Sequence, residues 1–288
     1  MTEVHLREAS TSSSSPRVKP SPKPSKISGK FFYAPSDDGT DENLLILLHG
    51  LGDTHVPFSK LGKSLKLPQT AILALRAPEQ VPFLYEDAWQ WYPSFDDLGE
   101  PIARPNPTPA IEFLTKTVDY LTGECTWPLE RIHLFGFAQG GSVAVEYALA
   151  MWKKQLLSSS TKSIASASAD AAAVSEAQPP APALRALGSI VTISGPLLSY
   201  PTLSQPCPTP LFVAHRPPPA ETALPSTALT AFRKAFEKVT ESKMGGRAAA
   251  GMPASREEWE PIMRFWSECL GRRQVEGLYE VMSGMSAA

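Results

Sequence analysis

Residues 132–141, IHLFGFAQGG, decide the fold of this chain. The run 132–137 is short, continuous and mostly apolar, which is typical of a β-strand buried on both faces of a parallel sheet. A glycine-rich turn follows at once, and Val143, Tyr147 and Met151 then recur at helical spacing. The stretch therefore predicts a buried strand, a sharp turn and a helix in direct succession.

The same alternation of strand and helix patterns continues along the chain. Further runs of strand length are LLILL at 44–48, AILAL at 71–75, IVTI at 190–193 and LFVA at 211–214. Other helical stripes are Ile111, Leu114, Val118 and Leu121; Leu229, Phe232, Phe236 and Val239; and Trp259, Ile262, Met263, Trp266 and Leu270. Ser255 and Glu258 stand at capping-box spacing before the last stripe, and Pro261 predicts a kink in it. We expect an α/β fold, with a mostly parallel central sheet and helices on both faces.

Composition divides the chain into one domain and three looser segments. Residues 1–29 are rich in Ser, Pro and Lys and have almost nothing to bury, which predicts a disordered tail. The α/β domain is expected at 30–273, interrupted by a low-complexity insertion at about 158–183. Residues 274–288 are expected to form a C-terminal tail.

Charge and cysteine content exclude several classes of function. The 27 basic and 29 acidic residues give a net charge of -2 without a basic run, so no nucleic-acid partner is expected. Cys125, Cys207 and Cys269 form no disulfide or zinc pattern, and neither a metal nor a cofactor is predicted. With no membrane span or signal peptide in the sequence, we expect a cytoplasmic protein, with the nucleus also open and the oligomeric state undetermined.

The residues that follow the strands are candidates for a site, because ligands of open α/β sheets bind at the carboxyl ends of the strands. After the strand at 44–48 the chain reads His49, Gly50, Leu51, Gly52 and Asp53. Glycines on both sides of Leu51 allow a sharp turn whose amide N–H groups point outward, as in an oxyanion hole. A glycine-rich turn without a ligand is an equally good interpretation of this loop alone.

The turn after the strand at 132–137 follows the pattern G-x-S-x-G in every position but one. In that pattern two glycines relieve the crowding of a strand-to-helix turn, and the central serine is lifted over the site as a nucleophile. Here Gly136 and Gly140 are present, and Ala138 stands at the centre. The elbow is predicted, and its nucleophile is missing.

Together these stretches resemble the phospholipase/carboxylesterase family of α/β-hydrolases, which includes the acyl-protein thioesterases. The motifs that carry the resemblance are LHGLGD at 48–53, GFAQGG at 136–141, RAP at 76–78, Trp91-Tyr92, ISG at 193–195 and PLFVAH at 210–215. It covers most of residues 44–271 and implies the α/β-hydrolase fold. DTHVPF at 53–58 and MPASREEWEPIM at 252–263 are similar to a fungal branch of the family in which the elbow serine is replaced.

The resemblance implies an oxyanion hole made by the backbone N–H groups of Leu51 and Gln139. The same site would include His49, Gly50, Asp53 and Trp91. The nucleophile position is occupied by Ala138, so the catalytic serine of the family is absent.

The other two triad positions also depart from the family. The acid would follow His215 by about four residues, where the chain reads RPPPA at 216–220. The histidine would precede the last helix, where the chain reads GMPAS at 251–255.

A count that needs no family supports this conclusion. After Ala138 the only histidine is His215, and the acids between the two are Glu146, Asp170 and Glu176. No nucleophile, acid and histidine therefore follow one another in the order that α/β-hydrolases use. Other possible nucleophiles come without an identifiable base, so a structural role is favoured for Ser142, Ser194 and Cys207.

Three hypotheses for function follow. The first is a pseudo-hydrolase that binds an acyl chain, a carboxylate or a peptide at the retained amides. The second is an active carboxylic-ester or thioester hydrolase with an unconventional constellation, in which a base such as His215 faces the oxyanion site. The third is a structural interaction subunit whose pocket is filled by its own side chains. Trp89 and Trp91 either line a binding groove or pack in the core.

Overall fold

The computed structural model of the chain describes residues 6–7, 17–82, 87–167, 184–245, 251–273 and 280–281. The strands are β1 (Leu6–Arg7), β2 (Phe31–Ala34), β3 (Asn43–Leu48), β4 (Thr70–Leu75), β5 (Glu79–Gln80), β6 (Trp89–Gln90), β7 (Ile132–Phe137), β8 (Ser189–Ile193), β9 (Leu211–His215), β10 (Val239–Lys243) and β11 (Glu280–Val281). The helices are α1 (His55–Ser64), α2 (Thr108–Gly123), α3 (Gln139–Ala167), α4 (Ala228–Ala235) and α5 (Arg256–Cys269).

Seven of the strands form the central sheet, in the order β10-β9-β8-β7-β3-β4-β2. All of its pairs are parallel except β2 with β4, which is antiparallel. The five strands predicted from apolar runs are confirmed, and so is the mostly parallel sheet. The edge strands β2 and β10 were not predicted, because each is only partly buried and lacks a continuous apolar run.

Helices cover both faces of this sheet, as the sequence predicts. One hydrophobic cluster joins the sheet to α2, α3 and α4 through side chains such as Leu114, Val145 and Phe232. The second joins the opposite face to α1 and α5 through side chains such as Phe58 and Trp266. With this cover in place, the loops at the carboxyl ends of the parallel strands are left as the accessible edge.

The last two helices refine the sequence prediction. The α4 stripe was predicted too long, because α4 ends at Ala235 and Val239 already belongs to β10. The predicted start of α5 is confirmed: the Ser255 hydroxyl accepts a hydrogen bond from the Glu258 N–H at 3.4 Å. Pro261 lies inside α5.

The described part of the N-terminal segment differs from a tail with nothing to bury. Residues 17–29 lie along the domain, where Ile27 is only 3% exposed. The Lys23 N–H donates to the Tyr120 hydroxyl at 3.0 Å, and the Lys26 ammonium lies 2.6 Å from a Glu124 carboxylate oxygen. Composition alone does not predict this, because the hydrogen-bond and ion-pair partners of the segment lie in α2 and the loop after it, far away in sequence. The remainder of the predicted tail, 1–5 and 8–16, lies outside the described residues.

The predicted insertion begins as a continuation of α3, which runs through Ala167. Residues 168–183 lie outside the described part, as do 274–279 and 282–288 of the predicted C-terminal tail. Among the residues that the structure describes, none of the helices is both long and apolar enough to cross a membrane.

Candidate functional site: a strand-to-helix elbow without a nucleophile

The turn between β7 and α3 has the strained backbone of an elbow. Ala138 has a φ angle of 47°, in the left-handed region that residues with a side chain seldom adopt. Its N–H donates to the Ile193 carbonyl at 2.8 Å, and its own carbonyl accepts from the Ser142 N–H at 3.0 Å. These two bonds hold residue 138 at the carboxyl edge of the sheet, where its half-buried methyl group occupies the nucleophile position.

Glycines are required around this turn by contact with backbone atoms. A Cβ added at Gly136 would lie 2.3 Å from the Gly140 carbonyl oxygen. One added at Gly140 would lie 2.4 Å from the Leu48 carbonyl oxygen, which brings the start of α3 against the end of β3. The G-x-x-x-G frame predicted from sequence is therefore a packing requirement of the fold.

The loop after β3 lies beside the elbow and is held from beneath by His49. The buried His49 ring donates from Nδ1 to the Gly50 carbonyl at 2.7 Å and accepts the Ala77 N–H at Nε2, at 2.9 Å. Burial lowers the pKa of His49 to about 4, so the ring is neutral near pH 7. Because both ring nitrogens are engaged, His49 positions the loop and has no nitrogen left for a ligand.

The predicted oxyanion residue Leu51 stands at the tip of this loop, with 39% of its surface exposed. Gly52 follows in the left-handed region at φ 78°, and its N–H donates to the Trp89 carbonyl at 2.9 Å. The Asp53 carboxylate accepts the Thr54 N–H at 2.7 Å and so supports the start of α1. The loop has the sharp turn that the glycines predict.

Gln139 connects the elbow to the segment after β6. Its amide oxygen accepts the Trp91 N–H at 3.0 Å, and its amide nitrogen donates to the Tyr92 carbonyl at 2.9 Å and to the Ser94 hydroxyl at 2.7 Å. The side chain is thus fully used in holding this segment. Its backbone N–H is among the first amides of α3, which have no acceptor within the helix.

Of the two alternatives for Trp91, groove lining and core packing, the structure favours core packing. Its side chain is completely buried, and its indole N–H donates to the His49 carbonyl at 2.8 Å. The alternative of core packing holds, because the indole supports the loop after β3 from within. Trp89, in contrast, is only partly buried.

His215, the one histidine after the elbow, is directed away from it. Its Nε2 donates to the Glu241 carboxylate at 3.1 Å, and Glu241 lies on β10. Since β9 is two strand positions from β7, roughly 9–10 Å, and β10 is one further, this pair extends away from Ala138. The geometry gives His215 a structural partner and no contact with the elbow.

The other candidates named from sequence have roles elsewhere or no base. The Glu146 carboxylate accepts the N–H groups of Leu198 and Ser199, at 2.7 and 3.0 Å, and burial raises its pKa. Burial also raises the pKa of the Cys207 thiol, which disfavours the thiolate. The buried hydroxyls of Ser142 and Ser194 are among those with no hydrogen-bond partner within the described ranges, and neither has a base beside it there. Asp170 and Glu176 lie outside the described residues.

An ion pair not foreseen from sequence lies where the family pattern places the acid and the histidine. Arg216, 3% exposed and directly after β9, forms a two-pronged pair with Glu258 at 2.8 and 3.0 Å. The guanidinium also donates to the carbonyls of Gly245 and Met252, at 2.7 and 3.1 Å. It pulls the pKa of Glu258 below its ordinary value. The signal in the sequence was an arginine just after a buried apolar run, at the carboxyl end of a predicted strand.

A mostly parallel sheet with a strained elbow after β7 and a glycine-rich loop after β3 defines the α/β-hydrolase fold. The known proteins most similar to the chain agree with this class. Residues 34–172 match the family described as Phospholipase/Carboxylesterase. The chain is 39% identical over 257 residues to an uncharacterized hydrolase, UM10204, of Mycosarcoma maydis, covering 88% of this chain and 86% of that protein. The chain therefore belongs to the phospholipase/carboxylesterase family.

Solved structures support the fold at much lower identity. Acyl-protein thioesterase 2 of Zea mays superposes with a TM-score of 0.56 at 18% identity, over 84% of this chain and 100% of its own. A carboxylesterase of Bacillus cereus superposes with a TM-score of 0.59 at 13% identity, over 86% of this chain and 97% of its own. At these identities the likeness establishes the fold alone.

Proposed function

We propose that this chain is a pseudo-hydrolase, a family member that binds an acyl, carboxylate or peptide group at the elbow without hydrolysing it. The observation that carries the proposal is the elbow itself: its backbone is held in the strained form at Ala138, with a methyl group in place of a nucleophile. The amides of Leu51 and Gln139 remain as donors for a carbonyl or carboxylate oxygen.

The magnitude of the missing chemistry supports binding over turnover. Removing the serine from a complete serine-protease triad lowers turnover about a millionfold, and the oxyanion hole with substrate binding retains on the order of a thousandfold over water. In this chain the acid and histidine positions of the family pattern are also occupied by other residues. Restoring one hydroxyl at residue 138 would leave it without a general base.

The first test compares the unmodified chain with Ala138→Ser on short and long acyl esters and thioesters. We expect neither protein to exceed the weak residual rate that an oxyanion hole and substrate binding supply without a triad, on the order of a thousandfold over water. Activity above that rate in Ala138→Ser alone would contradict the proposal, because it would require an acid and a base poised for the added hydroxyl. Activity above it in the unmodified chain would establish the alternative, a hydrolase with an unconventional constellation.

Binding at the elbow is tested with a charge change at constant shape. Octanoate binding is measured for the unmodified chain, for Ala138→Asp and for Ala138→Asn, since both new residues tolerate a positive φ angle. We expect Asp to abolish carboxylate binding, because its charge faces the same amides, while Asn retains some of it. Equal binding by all three proteins would place the carboxylate elsewhere and overturn the proposed site.

A further inference from the structure

A second polar feature lies at the same edge of the sheet, beyond the loop after β3. Arg76 follows β4 directly, and its guanidinium carbon lies 3.5 Å from the centroid of the Trp89 ring. The backbone of Trp89 is hydrogen-bonded in turn to Gly52 of the loop after β3. Arg76 is therefore held in place by an aromatic ring whose backbone is itself bonded to the loop after β3.

Arg76 is partly buried, and none of the carboxylates that the structure describes forms a salt bridge with it. Over the part of the chain that the structure describes, Arg76 takes part in no salt bridge, and its buried Nε has no hydrogen-bond partner. Arginine side chains that leave water are generally paired, because an unpaired charge or donor loses its hydration without replacement. Arg216 in the same protein shows the usual solution, with Glu258 on its guanidinium.

Lys30 and His55 belong to the surroundings of Arg76. The Lys30 carbonyl accepts the backbone N–H of Arg76 at 3.0 Å, so an exposed lysine is adjacent along the backbone. His55, the first residue of α1, has a buried Nδ1 without a hydrogen-bond partner among the described residues. Burial lowers the pKa of His55, the charges of Arg76 and Lys30 lower it further, and that of Asp87 raises it, so His55, Arg76 and Lys30 share one electrostatic environment with Asp87.

The nearby acids are already engaged by other groups. The Asp87 carboxylate accepts the Trp89 indole N–H at 2.5 Å, and the Asp53 carboxylate accepts the Thr54 N–H at 2.7 Å. Neither forms a salt bridge with Arg76 within the ranges described. The guanidinium is thus held by the ring and has no paired carboxylate among the residues that the structure describes.

We propose that Arg76, stacked on Trp89 and supported by Lys30, is an anion-binding subsite for a carboxylate or phosphate group of a ligand. A guanidinium presents parallel N–H donors that match two oxygens of either group, and the stacked ring fixes the orientation of those donors before the ligand arrives. The subsite lies two strand positions from the elbow, roughly 9–10 Å away. It does not depend on the proposed function at Ala138.

The test titrates the intact chain with inorganic phosphate and, separately, with acetate at constant ionic strength. The readout is the NMR signal of the Trp89 indole N–H, assigned among the six tryptophans by its loss in Trp89→Phe. The variants are Arg76→Gln, Arg76→Lys and, as a matched control, Arg264→Gln on the outer surface of α5, where the side chain is 70% exposed.

We expect a saturable shift of the Trp89 signal with at least one of the two anions, and the tighter binder identifies the group. Arg76→Gln should weaken that binding at least tenfold, and Arg76→Lys should weaken it at least threefold because it retains the charge and loses the paired donors. Arg264→Gln should bind as the unmodified chain does. The absence of a saturable shift with either anion, or equal binding by Arg76→Lys and Arg264→Gln, would overturn the proposal.

Discussion

The elbow after β7 and the loops after β9 meet at the same edge of the sheet, but different forces fix their shapes. At the elbow, backbone atoms leave no room for a side chain at Gly136 or Gly140. In the later loops, a side-chain ion pair between Arg216 and Glu258 joins the end of β9 to the start of α5. One region is defined by backbone contact, and the other by a pair of exchangeable side chains.

This difference explains why the two regions diverge from the family pattern to different degrees. A turn whose shape comes from backbone packing keeps that shape when the residue at its centre is Ala138 instead of serine. Loops that are tied together by side chains can be tied by another pair, provided that the pair satisfies its own charges. The geometry of an active site can therefore persist at the elbow while the adjoining loops adopt another arrangement.

The largest effect is expected from Gly140→Ala at the elbow. The new methyl group would lie 2.4 Å from the Leu48 carbonyl oxygen and 2.5 Å from that of His49, both of them backbone atoms of the central sheet or the loop that follows it. Since moving Leu48 would disturb the pairing of β3 and moving the His49 carbonyl would break its hydrogen bond from the Trp91 indole, we expect a loss of more than about 4 kcal/mol in the free energy of unfolding. Chemical denaturation monitored by circular dichroism measures it.

Gly52→Ala is the control for this first prediction. Gly52 has a left-handed backbone, with φ 78°, and an added Cβ there meets no atom within 4 Å. We expect only the backbone penalty of a left-handed residue, roughly 1–2 kcal/mol. Gly140 has no such backbone, so equal losses in the two variants would mean that its contact with β3 costs no more than a left-handed residue does, which would contradict the prediction.

Removing Arg216 should have the next largest effect. Arg216→Gln leaves the Glu258 carboxylate poorly exposed and without its cation, and breaking a buried pair in this way lowers stability by about 3–5 kcal/mol. The double variant Arg216→Gln/Glu258→Gln should recover part of the loss, because no charge is then left unpaired. If the double variant is no more stable than the single one, the contacts of Arg216 with backbone carbonyls hold these loops instead of the pair.

The same ion pair predicts a dependence of stability on pH. Arg216 lowers the pKa of Glu258 below the ordinary value of 4.5, so the carboxylate is favoured in the folded state. The stabilisation is therefore complete above the unfolded pKa and is lost as the pH falls through the folded one. We expect the free energy of unfolding to decrease less between neutral and acidic pH in Glu258→Gln than in the unmodified chain. Identical profiles would contradict this contribution.

The fold could be predicted from sequence to the extent that burial is continuous. The strands β3, β4, β7, β8 and β9 are buried along their length, so their apolar runs identify them. The edge strand β10, with the sequence VTESK, pairs on one side only and carries polar residues toward solvent, so its pattern is indistinguishable from that of a loop. Residues 17–29 were missed for a related reason, since their partners are distant in the chain.

At the site, sequence predicted the backbone features better than the side-chain contacts. The glycines around Ala138 and Leu51 specify tight turns because few other residues fit them. The contacts of Arg76 with Trp89 and of Arg216 with Glu258 join residues on different elements, and their meeting depends on the three-dimensional packing of those elements. Local spacing contains no information about such pairs.

The smallest effect, and the one of opposite sign, is expected from Ala138→Gly. The left-handed backbone at φ 47° strains an alanine and not a glycine, and this relief exceeds the extra freedom that glycine gives the unfolded chain. We expect a gain of about 0.5–1 kcal/mol in the free energy of unfolding.

Ala150→Gly is the matched control, because Ala150 is also half-buried but lies inside α3, where glycine is unfavourable and should lower stability by a similar amount. A loss in both variants would mean that the methyl group of Ala138 contributes packing that outweighs its strain. A gain at residue 138 alone would show that the elbow keeps its shape against a local penalty, which the contacts of its glycines with β3 must offset.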